Sequence, residues 1–439
     1  MDIYTGWKFK KDPFEITALP ADDVGNDLIV GREIDIERFL KRLYNGNRIV
    51  TIEGNVGIGK TSIINVGVYR ALLKYLEQKR EKNIDEPNPL FFGCNSIFQF
   101  EKGTNTDNFR EKVFLSIAQT IIQNKESFKS LKIELPSNLD EVDNWLHNPQ
   151  NSDYSASIGL FNFGIGGSKN TQLNETSGFE QTGIEQIVRN WLKLIFRNNS
   201  GGIVCVIDNL ELLKTSSEAR KVIENLRDTL FTIQGIKWVI CGSFGIVTGI
   251  LASPRLEGYL HDPIIVKGIR PNYIKELFEK RIRKYKINDS SYLPISHTAF
   301  SILYEILNEN IRSTLKYAGE YCFWISDGYK HPIEKKDKDE VFLEWLIQKS
   351  MSYRKDIELI IKPSELELFT KLLISDKNDE SISFSDFEKL NYSNINSFKA
   401  AIKGLEKIGI VTTVVDENDS RRKSIQVLPK GYFFSYALK

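Results

Sequence analysis

The sequence predicts an α/β protein: a parallel sheet around a phosphate-binding loop (P-loop), a helical lid and a C-terminal winged helix-turn-helix domain. Three observations predict it. From Gly31 to Lys267, short apolar runs alternate with helix-length periodic segments, the order that builds a parallel sheet. Gly54-Asn55-Val56-Gly57-Ile58-Gly59-Lys60-Thr61 satisfies GxxxxGK[ST] and lies between one such run and one such helix. From Lys362 the tail reads as three helices followed by two β-rich stretches joined by a polar turn.

A chain of 439 residues has room for about three domains at roughly 150 residues each. Hydrophobic residues at 41% and charged residues at 27% exclude a largely disordered or fibrous chain. Lys+Arg 59 against Asp+Glu 58 leaves a net charge of +1, so any attraction to nucleic acid or membrane must come from a local patch. Cys94, Cys205, Cys241 and Cys322 are far apart and form no CxxC pair, which argues against a zinc site or disulfide framework. No apolar run approaches the ~20 residues of a membrane span, and the opening MDIYTGWKFKKDPF has no apolar signal core. The reading is a soluble cytoplasmic protein with reduced thiols and no membrane partner.

Taken in order, residues 1–30 form an irregular lead-in anchored by Trp7, Phe9 and Phe14. The core, 31–268, runs helix 33–44, strand 48–53, Gly-rich turn, helix 60–79, strand 90–95, helix 107–123, helix 184–197, strand 203–207, helix 217–231, strand 236–241 and strand 264–267. A Gly/Ser/Asn-rich insertion at about 146–183, with Ile158, Leu160, Phe161 and Phe163 alternating, is a hairpin or a mobile loop. The lid, 269–345, is helical only and starts on Pro271. The charged run Glu334–Glu340 is a solvated linker or a helix start, and Tyr321-Cys322-Phe323-Trp324 is core at helical spacing. The winged-helix domain, 346–439, has helices 364–374, 385–390 and 394–408 and strands 410–415 and 424–428.

The chemistry concentrates at the P-loop. Its three glycines let backbone N–H groups turn inward onto phosphate oxygens, and the following helix N-terminus adds positive potential. Lys60 reaches the β- and γ-phosphates and the Thr61 hydroxyl binds Mg²⁺. The binding set is therefore Gly54, Asn55, Val56, Gly57, Ile58, Gly59, Lys60, Thr61 and the adjoining Ser62. The magnesium shell needs an acid at the end of a neighbouring buried strand, and Ile203-Val204-Cys205-Val206-Ile207-Asp208 supplies Asp208. The next residue is Asn209, and an amide cannot accept a proton from water. Glu211 either takes that role or is a solvent-facing helix-start residue. Slow hydrolysis follows from that amide.

These motifs together resemble the AAA+ class of P-loop ATPases, closest to the origin-recognition and replication-initiator branch and the related STAND switch ATPases. The resemblance spans residues about 28–439 and adds four weaker signals. Val30-Gly31-Arg32-Glu33 is similar to the box that precedes the P-loop and contacts the base region, which makes Arg32 a binding residue. Ser243, after the strand segment WVICG, falls at the sensor-1 position beside the γ-phosphate, the alternative being a strand-end cap. Asn310-Ile311-Arg312 is similar to the sensor-2 motif, although Asn308 and Glu309 replace the small residues expected before it. Arg255, in SPRLEG, falls where an arginine finger would lie, or is a surface arginine. The resemblance implies ATP and Mg²⁺ as cofactors, self-association or a partner protein, and a role in DNA transactions or beside a separate effector in bacterial anti-phage defence.

On the third tail helix Lys399, Lys403 and Lys407 recur every four residues, and Arg421, Arg422 and Lys423 form the wing tip, a phosphate-facing pattern. Yet residues 362–439 hold twelve Lys/Arg against eleven Asp/Glu, so this domain is either a double-stranded DNA reader or a protein-docking module. Two functions are expected: an ATP-driven molecular switch with slow turnover, or a DNA-binding initiator or regulator in which ATP is structural.

Overall fold

The computed structural model describes residues 2–45, 48–81, 88–100, 106–147, 183–197, 200–210, 216–243, 246–328, 337–377, 382–415 and 423–438. Glu211, Arg421, Arg422 and most of the 146–183 insertion lie outside these residues.

Among them, β1 (Val50–Glu53), β2 (Leu90–Phe98), β3 (Gly201–Ile207), β4 (Ile236–Gly242) and β5 (Ile264–Ile265) form a parallel sheet in the order β2-β3-β4-β1-β5. β3 and β4 are buried on both faces, which is why their apolar residues run nearly consecutively; β1 is equally buried but alternates, Thr51 donating to His261 O at 2.6 Å and Glu53 accepting from Thr248 N at 2.6 Å. In β3, Ile203, Cys205 and Ile207 face one cluster while Val204 and Val206 face the other; in β4, Trp238 and Ile240 oppose Val239 and Cys241 in the same way. Helices Thr106–Gln123, Ile184–Ile195, Ser216–Thr229 and Ile246–Leu251 cover the first face, and Glu33–Tyr44 and Lys60–Arg80 the second. Gly67 is where those two helices close up: a Cβ there would stand 2.5 Å from the fully buried Phe39 ring.

Two expectations about the core and lid need correction, the first on the sheet and the second on the Tyr321–Trp324 run. The strand of Asp208 is not beside the P-loop strand, because β4 lies between β3 and β1. The lead-in anchors find their burial in the lid. Tyr4, Phe9 and Phe14 join the lid core, with Phe14 stacked on Phe300 at 6.0 Å and near Phe278 at 6.3 Å. Backbone bonds from Lys10 N to Tyr285 O and from Ile287 N to Lys8 O, both within 2.9 Å, tie it to the lid helix Ile274–Tyr285. Phe323 points outward at 54% exposure, while Tyr321 and Cys322 are buried.

The lid continues through His297–Ile306 and Ile311–Gly328 into Lys338–Glu358, which begins inside the charged run. The border placed at 345/346 cuts this last helix, whose Phe342, Trp345 and Leu346 belong to the lid core and whose Ile357 belongs to the winged helix. Downstream come Pro363–Lys377, β6 (Ile382–Ser383), Ile395–Ile408, β7 (Val411–Val415) and β8 (Lys423–Val427), with the antiparallel sheet order β6-β8-β7. The expected helix 385–390 is only a 3₁₀ turn, Phe384–Asp386. Ser383 and Asp386 cap it reciprocally, and Asn391 at φ +66° turns the chain away. A final helix, Pro429–Ala437, returns to the lid and buries Phe433 in the lid core.

Candidate functional site

The P-loop leaves β1 through Gly54, where a Cβ would come 2.6 Å from the Val266 carbonyl. Gly57 and Gly59 sit at φ +83° and +102°, backbone that glycine alone adopts without strain. At Gly57 space is closed as well: a Cβ would meet Asn310 Oδ1 at 2.8 Å and Arg312 Cβ at 2.9 Å. Thus the lid rests directly on the loop. Arg312 N donates to Gly57 O at 3.2 Å, and Asn310 Nδ2 donates to Val56 O at 2.8 Å.

Lys60 is 7% exposed and its Nζ donates to Gly54 O at 2.8 Å and Asn55 O at 3.2 Å, so the ammonium is held across the mouth of the loop. Thr61 Oγ1 donates to Asp208 Oδ2 at 2.8 Å, which brings together two residues from strands that are not neighbours. Asp208 Oδ1 also accepts from Asn209 N at 2.8 Å. Asn209 itself sits at φ +58°, left-handed backbone that Asn tolerates better than most side chains, a conformational reason for an amide at this position. Ser243 directly follows β4 and is 1% exposed; the bond from Gly54 N to Gly242 O at 3.3 Å sets it beside the start of the loop.

Arg32 is buried between core and loop. Its Nη2 donates to Ile58 O at 2.7 Å, and its Nη1 donates to Lys267 O at 2.7 Å and pairs with Asp35 at 3.1 Å. Burial pulls its pKa down, with Asp35 opposing. Ser62 is occupied by the lead-in: its Oγ accepts from Leu19 N at 3.0 Å, while Asn65 Nδ2 donates to Leu19 O at 2.9 Å. Arg255 stands apart as a half-exposed surface residue, its Nη2 3.1 Å from Asp228 Oδ2. The left-handed positions Asn308 and Glu309, at φ +51° and +59°, are where small residues were expected, and Asn308 Nδ2 bonds Asp376 at 2.9 Å.

A cleft runs from the loop between core and lid. Lys60, Thr61, Asp208, Asn209, Arg32 and Arg312 line its polar part, and the lead-in residues Ile16, Ala18 and Leu19 and the segment 28–30 line an apolar part. The lead-in wall, Arg281 on the lid, and Asn310 as a loop contact were not nominated from sequence. Only Asn310 lay inside a motif. A further contact has no local signature: Gln426 Nε2 on β8 donates to Asn55 Oδ1 at 3.2 Å, so the winged helix touches the P-loop. On Ile395–Ile408, Lys399, Lys403 and Lys407 are all exposed, opposite the buried Phe398, Ile402 and Leu405. Among the described residues no His/Cys/Asp/Glu cluster suits a metal, and no helix is long and apolar enough to cross a membrane.

A P-loop after β1, one strand intervening before the acidic strand, a helical lid and a winged helix define a P-loop fold of the AAA+ type. No family model matches the sequence, and no curated protein does. Among solved structures the chain is similar to the Aeropyrum pernix ORC1 protein in complex with DNA, at 12% identity and TM-score 0.42 over 98% of this chain and 97% of that one. It is also similar to the Aeropyrum pernix ORC2 protein in ADPNP–ADP complexes, at 10% identity and TM-score 0.44 over 98% and 97%. Cdc6p from Pyrobaculum aerophilum follows, at 13% identity and TM-score 0.37 over 98% and 97%.

Proposed function

We propose that the protein is an ATP-binding molecular switch with slow turnover. The observation that carries the proposal is that the lid and the winged helix both bond the same loop. Arg312 N and Asn310 Nδ2 reach Gly57 O and Val56 O, and Gln426 Nε2 reaches Asn55 Oδ1. Phosphates gripped by that loop act directly on both contacts, so the loop's occupancy sets where the two downstream domains sit. Thr61 Oγ1 and the Asp208 carboxylate, 2.8 Å apart, suit an Mg²⁺ shared with phosphate oxygens. The ion would screen the phosphate charge there. Lys60 and Arg312 supply the remaining positive charge. Asn209 can orient water but not deprotonate it, so turnover falls well below the ~1–10³ s⁻¹ of ordinary enzymes.

The test is a distance. Dyes attached through Ile34→Cys on the core and Glu388→Cys on the winged helix, both exposed positions, report their separation by energy transfer. ATP with Mg²⁺ should change the transfer efficiency, and Gln426→Ala should change it before nucleotide is added. An efficiency indifferent to ATP removes the switch reading.

A second reading, double-stranded DNA binding through the winged helix, is favoured by the exposure of Lys399, Lys403 and Lys407 on one helix face. If these contact phosphates, replacing all three with alanine flattens the slope of log K against log[salt] by up to about 2.7, since each phosphate contact contributes about 0.9. Anisotropy titrations on duplex DNA at several salt concentrations measure the slope. Identical slopes for variant and wild type return this helix to protein docking.

A further inference from the structure

The lid residue Arg281 carries a donor set that the protein itself does not use. It is 7% exposed, lines the cleft near Leu277 and Leu28, and forms no ion pair within 4.0 Å among the described residues. Its Nη1 donates to Pro13 O at 3.0 Å and Glu15 O at 3.3 Å, and its Nε is buried without a hydrogen-bond partner. Guanidinium carries five N–H donors; Nη1 uses its two and Nε is enclosed, so the two N–H groups of Nη2 remain for something else. A buried charge held only by two carbonyls is costly, and natural proteins satisfy such groups with a partner or a ligand. The carboxylates of Asp12 and Glu15 act on it only through space, and burial lowers its pKa.

Its place in the cleft indicates what the ligand offers. Lys60, Arg32 and Arg312 gather at the loop, where phosphates bind; Arg281 instead stands by the apolar lead-in wall of Ile16, Ala18 and Leu19. An apolar wall with one fixed donor group suits a heterocyclic base, with acceptor nitrogens on its edge. We propose that Arg281 is a specificity-determining residue that hydrogen-bonds a ring nitrogen of the nucleotide's base. The proposal rests on the ATP-binding reading.

The test compares ATP with inorganic tripolyphosphate and with 1-, 3- and 7-deaza-ATP, each lacking one ring acceptor, on the full chain by calorimetry. In wild type, one deaza analogue should bind about tenfold or more weaker than ATP, the loss expected for a hydrogen bond to a charged donor. Arg281→Met should lose the same factor for ATP, show no further loss with that analogue, and bind tripolyphosphate as wild type does. Arg281→Lys, which keeps a charged donor group, should recover part of the affinity. If all three analogues bind wild type as tightly as ATP does, the proposal is overturned, and any effect of Arg281→Met then comes from loss of its bonds to Pro13 and Glu15. The analogues need no variant to fold, so a misfolded Arg281→Met leaves the proposal exposed to test. If wild type binds neither ATP nor tripolyphosphate, the ATP-binding reading fails first and this proposal falls with it.

Discussion

Lys60→Ala should abolish the ATP-dependent rise in melting temperature expected of wild type. Wild type with ATP and Mg²⁺ at ~100 times the dissociation constant should gain about 2.7 kcal/mol of stability, because ligand bound only to the folded state shifts the unfolding equilibrium by mass action. Lys60 already lies in the loop, its Nζ on Gly54 O and Asn55 O, so the ammonium reaches phosphate oxygens by a small local shift of the side chain. Removing it leaves the amide cradle and helix N-terminus without their strongest countercharge. The variant without nucleotide loses two hydrogen bonds, each contributing about 1 kcal/mol, and so melts slightly below wild type. Differential scanning calorimetry with and without ATP separates the two effects. A shift in Lys60→Ala equal to that of wild type refutes nucleotide binding at this loop.

Phe433→Ala destabilises the lid and winged helix by about 3–5 kcal/mol, the range for truncating a fully buried phenylalanine. Phe433 is 0% exposed, and its ring lies 4.6 Å from Tyr317, 6.0 Å from Tyr353 and 6.3 Å from Trp345. It is the fully buried side chain of the last helix in the lid core, with Tyr436 packed against that core, whereas its neighbour Phe434 packs inside the winged helix. Loss of the ring loosens the final helix from Lys338–Glu358 and leaves polar ties in place: Arg354 Nη1 on Ala437 O at 2.8 Å, Asn308 and Tyr432 on Asp376, and Gln426 on Asn55. Calorimetry should show an earlier transition, and limited proteolysis should release the winged helix. The P-loop helix is buried in a different cluster, so the ATP-dependent shift of the core should survive. A loss of under about 1 kcal/mol means that the domain is held by other contacts.

How much was legible follows from the range of each signal. Core helices and strands were readable because burial on both sheet faces forces apolar runs and the 3.6-residue period marks the covering helices. The lead-in was legible only in part: Phe9 and Phe14 stood out as anchors, but where they dock has no periodic signal, because their places come from lid rings far along the chain. The tail helix 385–390 failed because a capping box at Ser383 and Asp386 serves a single turn as well as a helix start. The continuity of Lys338–Glu358 was hidden because one helix serves two cores, so its apolar residues do not follow one face.

The sequence by itself determined the loop and what it can hold. Glycines at fixed offsets, Lys60 and Thr61 act within one turn of chain, and local steric rules dictate that geometry. Thr61 and Asp208, 147 residues apart, were paired by motif alone. Only the tertiary structure decided the other meetings: Asn310 and Val56 are 254 apart, Pro13 and Arg281 are 268 apart, and Gln426 and Asn55 are 371 apart. No local pattern encodes those contacts. They form because burying the sheet faces and the aromatic rings of the lid fixes where the elements stand, and that burial offsets the entropy of closing long loops.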